Sequence, residues 1–317
     1  MRHTSNACLN RTVLLRTTYV IYLYKYVLVI CDMTGAFKQT ESVVLACLGV
    51  LLITSFAPIK FTGFAILEND TSIVSDSLDL MSGNNKSIVL VHGSWSDGSV
   101  WSKVIPILTD AGHRVIAAQL PLHSLENDVA TVERAVERIG RPAILVGHSY
   151  GGEVITNAGY NNPNVTGLVY IAALAPDEGE TGNTFFEKIP AEFSKTYFES
   201  IANDSAGFLY FNPNRFHESF AQDVDSADAN ILAIVQKPFN QSIIAEASGP
   251  PAWKQLSTWY QISENDRLIP PEIQRISAER MNATTLSLNS SHMSPVAHPE
   301  EIAELIINAT KVSNSTH

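Results

Sequence analysis

Past residue 47 the chain contains no cysteine: Cys8, Cys31 and Cys47 are the only three in 317 residues. The remainder therefore has no disulfide, no thiolate metal ligand and no cysteine nucleophile, and its stability has to come from a packed core. Charge is also sparse. Only 17% of residues are charged, the net charge is -11 and no basic cluster occurs, which argues against nucleic acid or an anionic membrane surface as a partner. Metal-ligand spacing is missing too. There is no H-E-x-x-H or C-x-x-C motif, and the nine histidines do not pair at ligand intervals except loosely at His292 and His298, so neither a metal nor a cofactor is expected. What is present, 45% hydrophobic residues, describes a folded protein whose charge balance suits a small uncharged substrate.

The first part of the chain differs from the rest. Tyr19 to Ile30 is apolar but broken by Lys25, and Val43 to Ala57 is fifteen residues without a charge. That is short of the ~20 residues of a spanning helix and suits the apolar part of a signal peptide. The mostly apolar stretch Phe61 to Leu67 after Lys60 keeps a tilted membrane anchor open, and a helix buried in a core is the third alternative. Met33, with Lys38 as a basic flank, offers a second translation start, which would leave residues 1–32 untranslated. Residues 1–67 are thus expected to be a targeting or anchor region, and the polar stretch 68–86 a linker. Asn-x-Ser/Thr sequons at Asn69, Asn85, Asn164, Asn203, Asn240, Asn282, Asn289, Asn308 and Asn314 outnumber the roughly three that chance would give. Together these point to an exported or membrane-anchored protein with an extracytoplasmic domain.

From residue 87 to 312 strand-like and helix-like segments alternate, the pattern of a mainly parallel sheet covered by helices on both faces. The apolar runs Ser87 to Val91, Val115 to Leu120, Ala143 to Val146, Leu168 to Leu174, Thr258 to Ile262 and Thr284 to Leu288 predict six strands. Trp101, Val104, Ile105 and Leu108 fall at helical spacing, as do Val129, Val132, Val136 and Ile139, and later Ile302, Leu305 and Ile306. One interval breaks the rhythm. Residues from about 176 to 256 form an expected helical cap, rich in aromatic rings that form a satellite core, line an apolar pocket, or do both. Residues 313–317 are a tail.

The segment Gly147-His148-Ser149-Tyr150-Gly151-Gly152 follows the run Ala143 to Val146 and precedes a helix-compatible stretch. It has the composition of a nucleophile elbow, in which a serine sits on a strained strand-to-helix turn that neighbouring side chains would obstruct. The N-H of Tyr150 would face an acyl oxyanion. A serine hydroxyl needs a base, and the base needs an acid to orient it. In this arrangement they follow in the order acid, then histidine, after later strands. The loop Ser263 to Pro270 offers Asp266 and Glu264. Asp266 is favoured because it lies deeper in a loop fixed by Pro270 and Pro271, and Asp177 reads better as the hinge into the cap. His292 lies nearest the last strand, whereas His298 reads as structural and His148 as a packing residue. After the first strand, His92-Gly93-Ser94-Trp95 offers a second oxyanion donor from the Ser94 to Trp95 region.

Taken with Val91-His92-Gly93-Ser94-Trp95-Ser96-Asp97-Gly98-Ser99-Val100-Trp101, Ala175-Pro176-Asp177-Glu178-Gly179-Glu180, Asp266-Arg267-Leu268-Ile269-Pro270 and Ser291-His292, the chain resembles the cofactor-free α/β-hydrolases. More narrowly, it resembles the esterase-like members related to plant methylesterases and hydroxynitrile lyases. The resemblance spans about residues 86–312 and implies Ser149 as nucleophile, Asp266 as acid, His292 as base, and amides near Ser94 or Trp95 with that of Tyr150 as oxyanion hole. It departs at Met293-Ser294-Pro295, where a proline follows the histidine. The implied function is ester hydrolysis through an acyl-enzyme. The alternatives are a small-molecule-binding protein that keeps an intact triad, and a hydroxynitrile-lyase-like enzyme, for which Lys254 is the cap lysine nearest the acid loop.

Overall fold

The computed structural model describes residues 87–312. The expected targeting region, the linker and the tail lie outside the described residues. Six parallel strands form one sheet in the order β2-β1-β3-β4-β8-β9, with β1 Ser87–Val91, β2 Arg114–Ala118, β3 Ala143–His148, β4 Val165–Ile171, β8 Thr258–Ser263 and β9 Thr284–Leu288. The central strands β1, β3 and β8 are buried at every residue, which is why they read as unbroken runs. At the edge, β9 is exposed at Thr284, Thr285 and Ser287, the polar letters of its sequence. Helices α1 (Val104–Asp110), α2 (Leu125–Ile139), α3 (Gly151–Ala158), α8 (Pro271–Arg280), the short α9 (Ser294–Ala297) and α10 (Pro299–Val312) complete the body.

Differences from the predicted boundaries have local causes. Trp101 does not join α1 but closes a separate 3-10 turn, Gly98–Trp101. Pro106 has no N-H and its ring would strike the carbonyl four residues earlier, so the helix starts just ahead of it. Strand β2 ends at Ala118 because Leu120 donates its N-H to His92 Nε2 (3.0 Å) rather than to a neighbouring strand. Strand β4 ends at Ile171 because Ala172 takes φ +43°.

The cap holds α4 (Gly182–Phe186), α5 (Ala191–Glu199), α6 (Pro213–Phe220) and α7 (Ser226–Val235). Besides these helices it contains a small antiparallel sheet, β5-β6-β7, of Ile201–Asn203, Phe208–Phe211 and Phe239–Asn240. In Phe208-Leu209-Tyr210-Phe211 burial alternates, with Leu209 and Phe211 inside and Tyr210 outside, which is the period of a strand rather than of a helix.

The strand order positions the site. From β1 the chain winds outward to β2 and then returns to β3 on the other side of β1. The carboxyl ends of β1 and β3 therefore flank a crevice where the connections diverge, the place at which open α/β sheets bind ligands.

Candidate active site

Strand β3 ends at His148 and the chain turns at Ser149, which has φ +56°. For a residue with a side chain this conformation costs on the order of 1–3 kcal/mol and persists only where its surroundings fix it. Here they do. Ser149 N-H donates to Ile171 O (3.1 Å), and Ser149 O accepts from Gly152 N-H (3.0 Å) and Leu174 N-H (3.0 Å). The elbow packs backbone against backbone: a Cβ on Gly147 would stand 2.4 Å from Gly151 O, and one on Gly151 2.6 Å from Val91 O.

Asp266 and His292 come from the loops after β8 and β9, and meet at 2.7 Å between Oδ2 and Nδ1, both buried. The other contacts on the Asp266 carboxyl are donors: Leu268 N-H (2.8 Å) and Ile269 N-H (2.9 Å) on Oδ1, and the Gln274 amide (2.9 Å) on Oδ2. A carboxyl surrounded by donors accepts, so His292 Nδ1 donates to it and Nε2 is the ring nitrogen left over. That Nε2 is buried without a hydrogen-bond partner. His292 is also fixed from behind, since His148 Nε2 lies 2.8 Å from His292 O and the two rings are 4.8 Å apart. Burial, with His292 adjacent, holds the His148 imidazole well below the usual histidine range. His148 is therefore neutral and donates through Nε2 to the carbonyl.

The loop after β1 runs directly against the serine: a Cβ on Gly93 would stand 2.6 Å from Ser149 Cβ and 3.1 Å from Ser149 Oγ. His92 anchors that loop, with Nδ1 2.9 Å from Gly93 O and Nε2 accepting from Leu120 N-H. Burial brings its pKa down to about 4. Trp95, at φ +54°, donates its indole N-H to Leu209 O (3.0 Å) and packs against Tyr197, Phe211, Phe220 and Phe239. Tyr150 caps α3 at its N-terminus, where first-turn N-H groups have no partner within the helix. Its hydroxyl donates to Asp128 Oδ2 (2.8 Å).

These parts surround one cavity of ≈ 60 Å³, whose lining includes Ser94, Trp95, Ser149, Tyr150 and His292. Residues 88–305 match the profile of the Alpha/beta hydrolase family. The chain belongs to the α/β-hydrolase family. Among curated relatives of this α/β-hydrolase, a pyrethroid hydrolase of Sphingobium wenxiniae is 32% identical over 245 residues, covering 69% of this chain and 85% of the relative. Methylesterase 1 of Arabidopsis thaliana is 23% identical over 246 residues, covering 69% of this chain and 94% of the relative. Among solved structures, a pyrethroid hydrolase from Sphingobium faniae superposes with a TM-score of 0.63 at 23% identity, over 73% of this chain and 98% of that one.

The α/β-hydrolase fold thus brings Ser94, Trp95, Ser149, Tyr150 and His292 to one cavity, with Asp266 directly behind His292. It does not bring the competing candidates there. Glu264 is ion-paired with Arg275, Asp177 with Lys254, and His298 lies 3.8 Å from both Asp223 and Glu301. Of the cap aromatics, Phe185, Phe186 and Tyr197 line the cavity, while Phe211, Phe216 and Phe220 form the satellite core. Two supporting residues escaped the sequence reading. Asp128 falls on the buried face of α2 at helical spacing with Val132 and Val136, and a polar residue on an apolar face was the available signal. Gln274 holds Asp266 and also accepts from Ser263 N-H (2.9 Å), and nothing in its neighbours distinguishes it from a surface glutamine.

Proposed function

We propose that this α/β-hydrolase cleaves a carboxylic ester through an acyl-enzyme on Ser149. The observation that carries the reading is the buried, unpartnered Nε2 of His292, held by Asp266 and lining the same cavity as a serine fixed at φ +56°. Ser149 Oγ attacks the ester carbonyl while His292 Nε2 takes its proton. The oxyanion is held by the N-H of Tyr150 and by backbone N-H from the Ser94 to Trp95 loop. His292 then passes the proton to the departing alcohol. Water, deprotonated by the same nitrogen, releases the acid and restores the serine. A relative named as a methylesterase and another named as a hydrolase support the reaction class. Lys254, the cap lysine nearest the acid loop, is ion-paired with Asp177, and no lysine lines this cavity among the described residues.

A fluorophosphonate probe combined with a panel of p-nitrophenyl esters tests the proposal. Ser149 is labelled and short esters turn over, and Ser149→Ala abolishes both while the protein stays folded by circular dichroism. Labelling with no turnover on any acyl substrate would assign the site to ligand binding instead.

We also infer that the catalytic domain is exported or anchored outside the cytoplasm. Besides the apolar N-terminal stretch, support comes from the sequons at Asn164, Asn203, Asn282, Asn289 and Asn308, all exposed. Fusing residues 1–67 to a reporter active only outside the cytoplasm tests this, and an inactive reporter that accumulates in the cytoplasm would reject it.

A further inference from the structure

A second cavity lies beside the catalytic one. It measures ≈ 200 Å³ against ≈ 60 Å³, and the two share Leu174 and Phe185 as a common wall. Besides those two residues, Ala175, Pro176, Ile273 and Ile276 give it apolar sides, and Thr181, Thr184 and Ser277 add hydroxyls. At its mouth the charges are already paired, since Glu180 binds Lys188 (2.9 Å) and Arg280 (2.8 Å). One lining group is not paired. Glu153, on α3 one turn past the catalytic serine, is only 3% exposed, and its Oε1 has no hydrogen-bond partner in the protein.

A buried polar atom without a partner costs about 1–3 kcal/mol, so a side chain of this kind calls for a partner from outside the chain, a water, an ion or a ligand. Size and chemistry narrow the ligand. An apolar cavity of about 150 Å³ holds a benzene ring, so ≈ 200 Å³ accepts a ring with one small substituent. The catalytic cavity alone accepts little beyond a methyl- or acetyl-sized group. An anion would be placed near Glu246, and a cation would have to pass Lys188 and Arg280 and shed its water. A neutral acceptor meets neither obstacle.

We propose that the second cavity is the distal subsite for the ester substrate, taking a ring-sized apolar group that bears a neutral hydrogen-bond acceptor, to which the Glu153 carboxyl donates. The assignment rests on the ester-hydrolase reading of the Ser149 site. Burial, with Glu246 nearby, pushes the Glu153 carboxyl up to about 8, so the donor form is present at neutral pH. Phe185 and Leu174, which line both cavities, stand between them, so a substrate that fills both has to displace or pass these two side chains.

The test uses the full chain and p-nitrophenyl esters of phenylalkanoic acids with one to three methylenes, each with and without a para-methoxy group. At the chain length that reaches the cavity, the methoxy ester is favoured in kcat/KM by about tenfold, the worth of one buried hydrogen bond. Glu153→Leu brings that ratio to about one, whereas Glu153→Gln keeps part of it through its amide N-H. A ratio that Glu153→Leu leaves unchanged overturns the subsite, and so does a preference for a para-aminomethyl ester over the methoxy one. Calorimetry with the corresponding methoxyphenyl alcohols separates the two levels of inference, because it needs no turnover. Glu153-dependent binding without hydrolysis of any ester supports the cavity as a binding site and rejects the hydrolase reading. Hydrolysis with a Glu153-independent ratio does the reverse.

Discussion

Single side chains decide which of two neighbouring carboxylates reaches His292. Asp266 and Glu264 are two residues apart, yet the first receives four hydrogen bonds including that from His292, and the second pairs with Arg275 on the surface of α8. Asp266→Asn should therefore lower kcat on the order of 10³- to 10⁴-fold, because an amide that donates to His292 selects the wrong tautomer. Glu264→Gln should change kcat by less than about threefold, since it loosens only a partly exposed ion pair. Steady-state kinetics on one ester compares them, and the reverse order would move the acid to Glu264. Glu153 gives a second prediction. Its folded pKa of about 8 lies above the ordinary 4.5. Between those values the folded protein holds a proton that the unfolded chain has lost, so stability falls as pH rises through the window and levels off above it. Glu153→Gln removes that dependence. Thermal melts should show the variant gaining stability over the parent at pH 8.5, by on the order of a few kcal/mol, and much less at pH 5.

At the scale of elements, the elbow joins β3, α3, β1 and the segment after β4 without intervening side chains. A methyl on Gly147 would fall 2.4 Å from Gly151 O and 2.7 Å from Gly152 N, both main-chain atoms that cannot swing away. Gly147→Ala should cost more than about 2 kcal/mol in urea unfolding, and should lower activity further in the fraction that remains folded. This much was legible in the letters, because few sequences other than glycines around a serine satisfy such a turn. The loop after β1 was legible as a position and opaque as a device. That Trp95 adopts φ +54° and acts as the ring on which Tyr197, Phe211, Phe220 and Phe239 converge depends on contacts more than a hundred residues away in sequence. The small cap sheet was hidden for a related reason. Strands of two to four residues carry too few alternations to stand out from an aromatic-rich helical pattern.

For the described domain as a whole, the question is what holds the cap over the cavity of ≈ 60 Å³ that Ser149 and His292 line. The start of the cap is fastened to the body by Glu180, which binds Arg280 of α8 as well as Lys188. Burial works to raise the Glu180 carboxyl, but the Asp177 N-H, Lys188 and Arg280 together outweigh it and hold it at about 2. A carboxylate lowered in this way contributes stability above its ordinary 4.5, and that contribution fades as pH falls toward 2. Glu180→Gln should speed hydrogen exchange in residues 180–199 at neutral pH and leave the central strands unaffected. Unchanged exchange in the cap would mean that the fastening lies elsewhere, with Trp253, whose indole donates to Pro176 O (2.9 Å), the next residue to vary.

By itself the sequence determined the buried parallel strands, the serine turn, and the presence of an acid and a histidine after later strands. Those features are local: a continuous apolar run, glycines where side chains would collide, and polar residues at strand ends each leave a mark within a few residues. Tertiary structure alone decided which carboxyl meets His292, that His148 and Gln274 hold the pair, and that Glu153 lines a second cavity that shares Leu174 and Phe185 with the first. Such facts depend on distances between elements that are remote in sequence. They are set by how the cap and the helices pack over the sheet, and no periodicity along the chain records that packing.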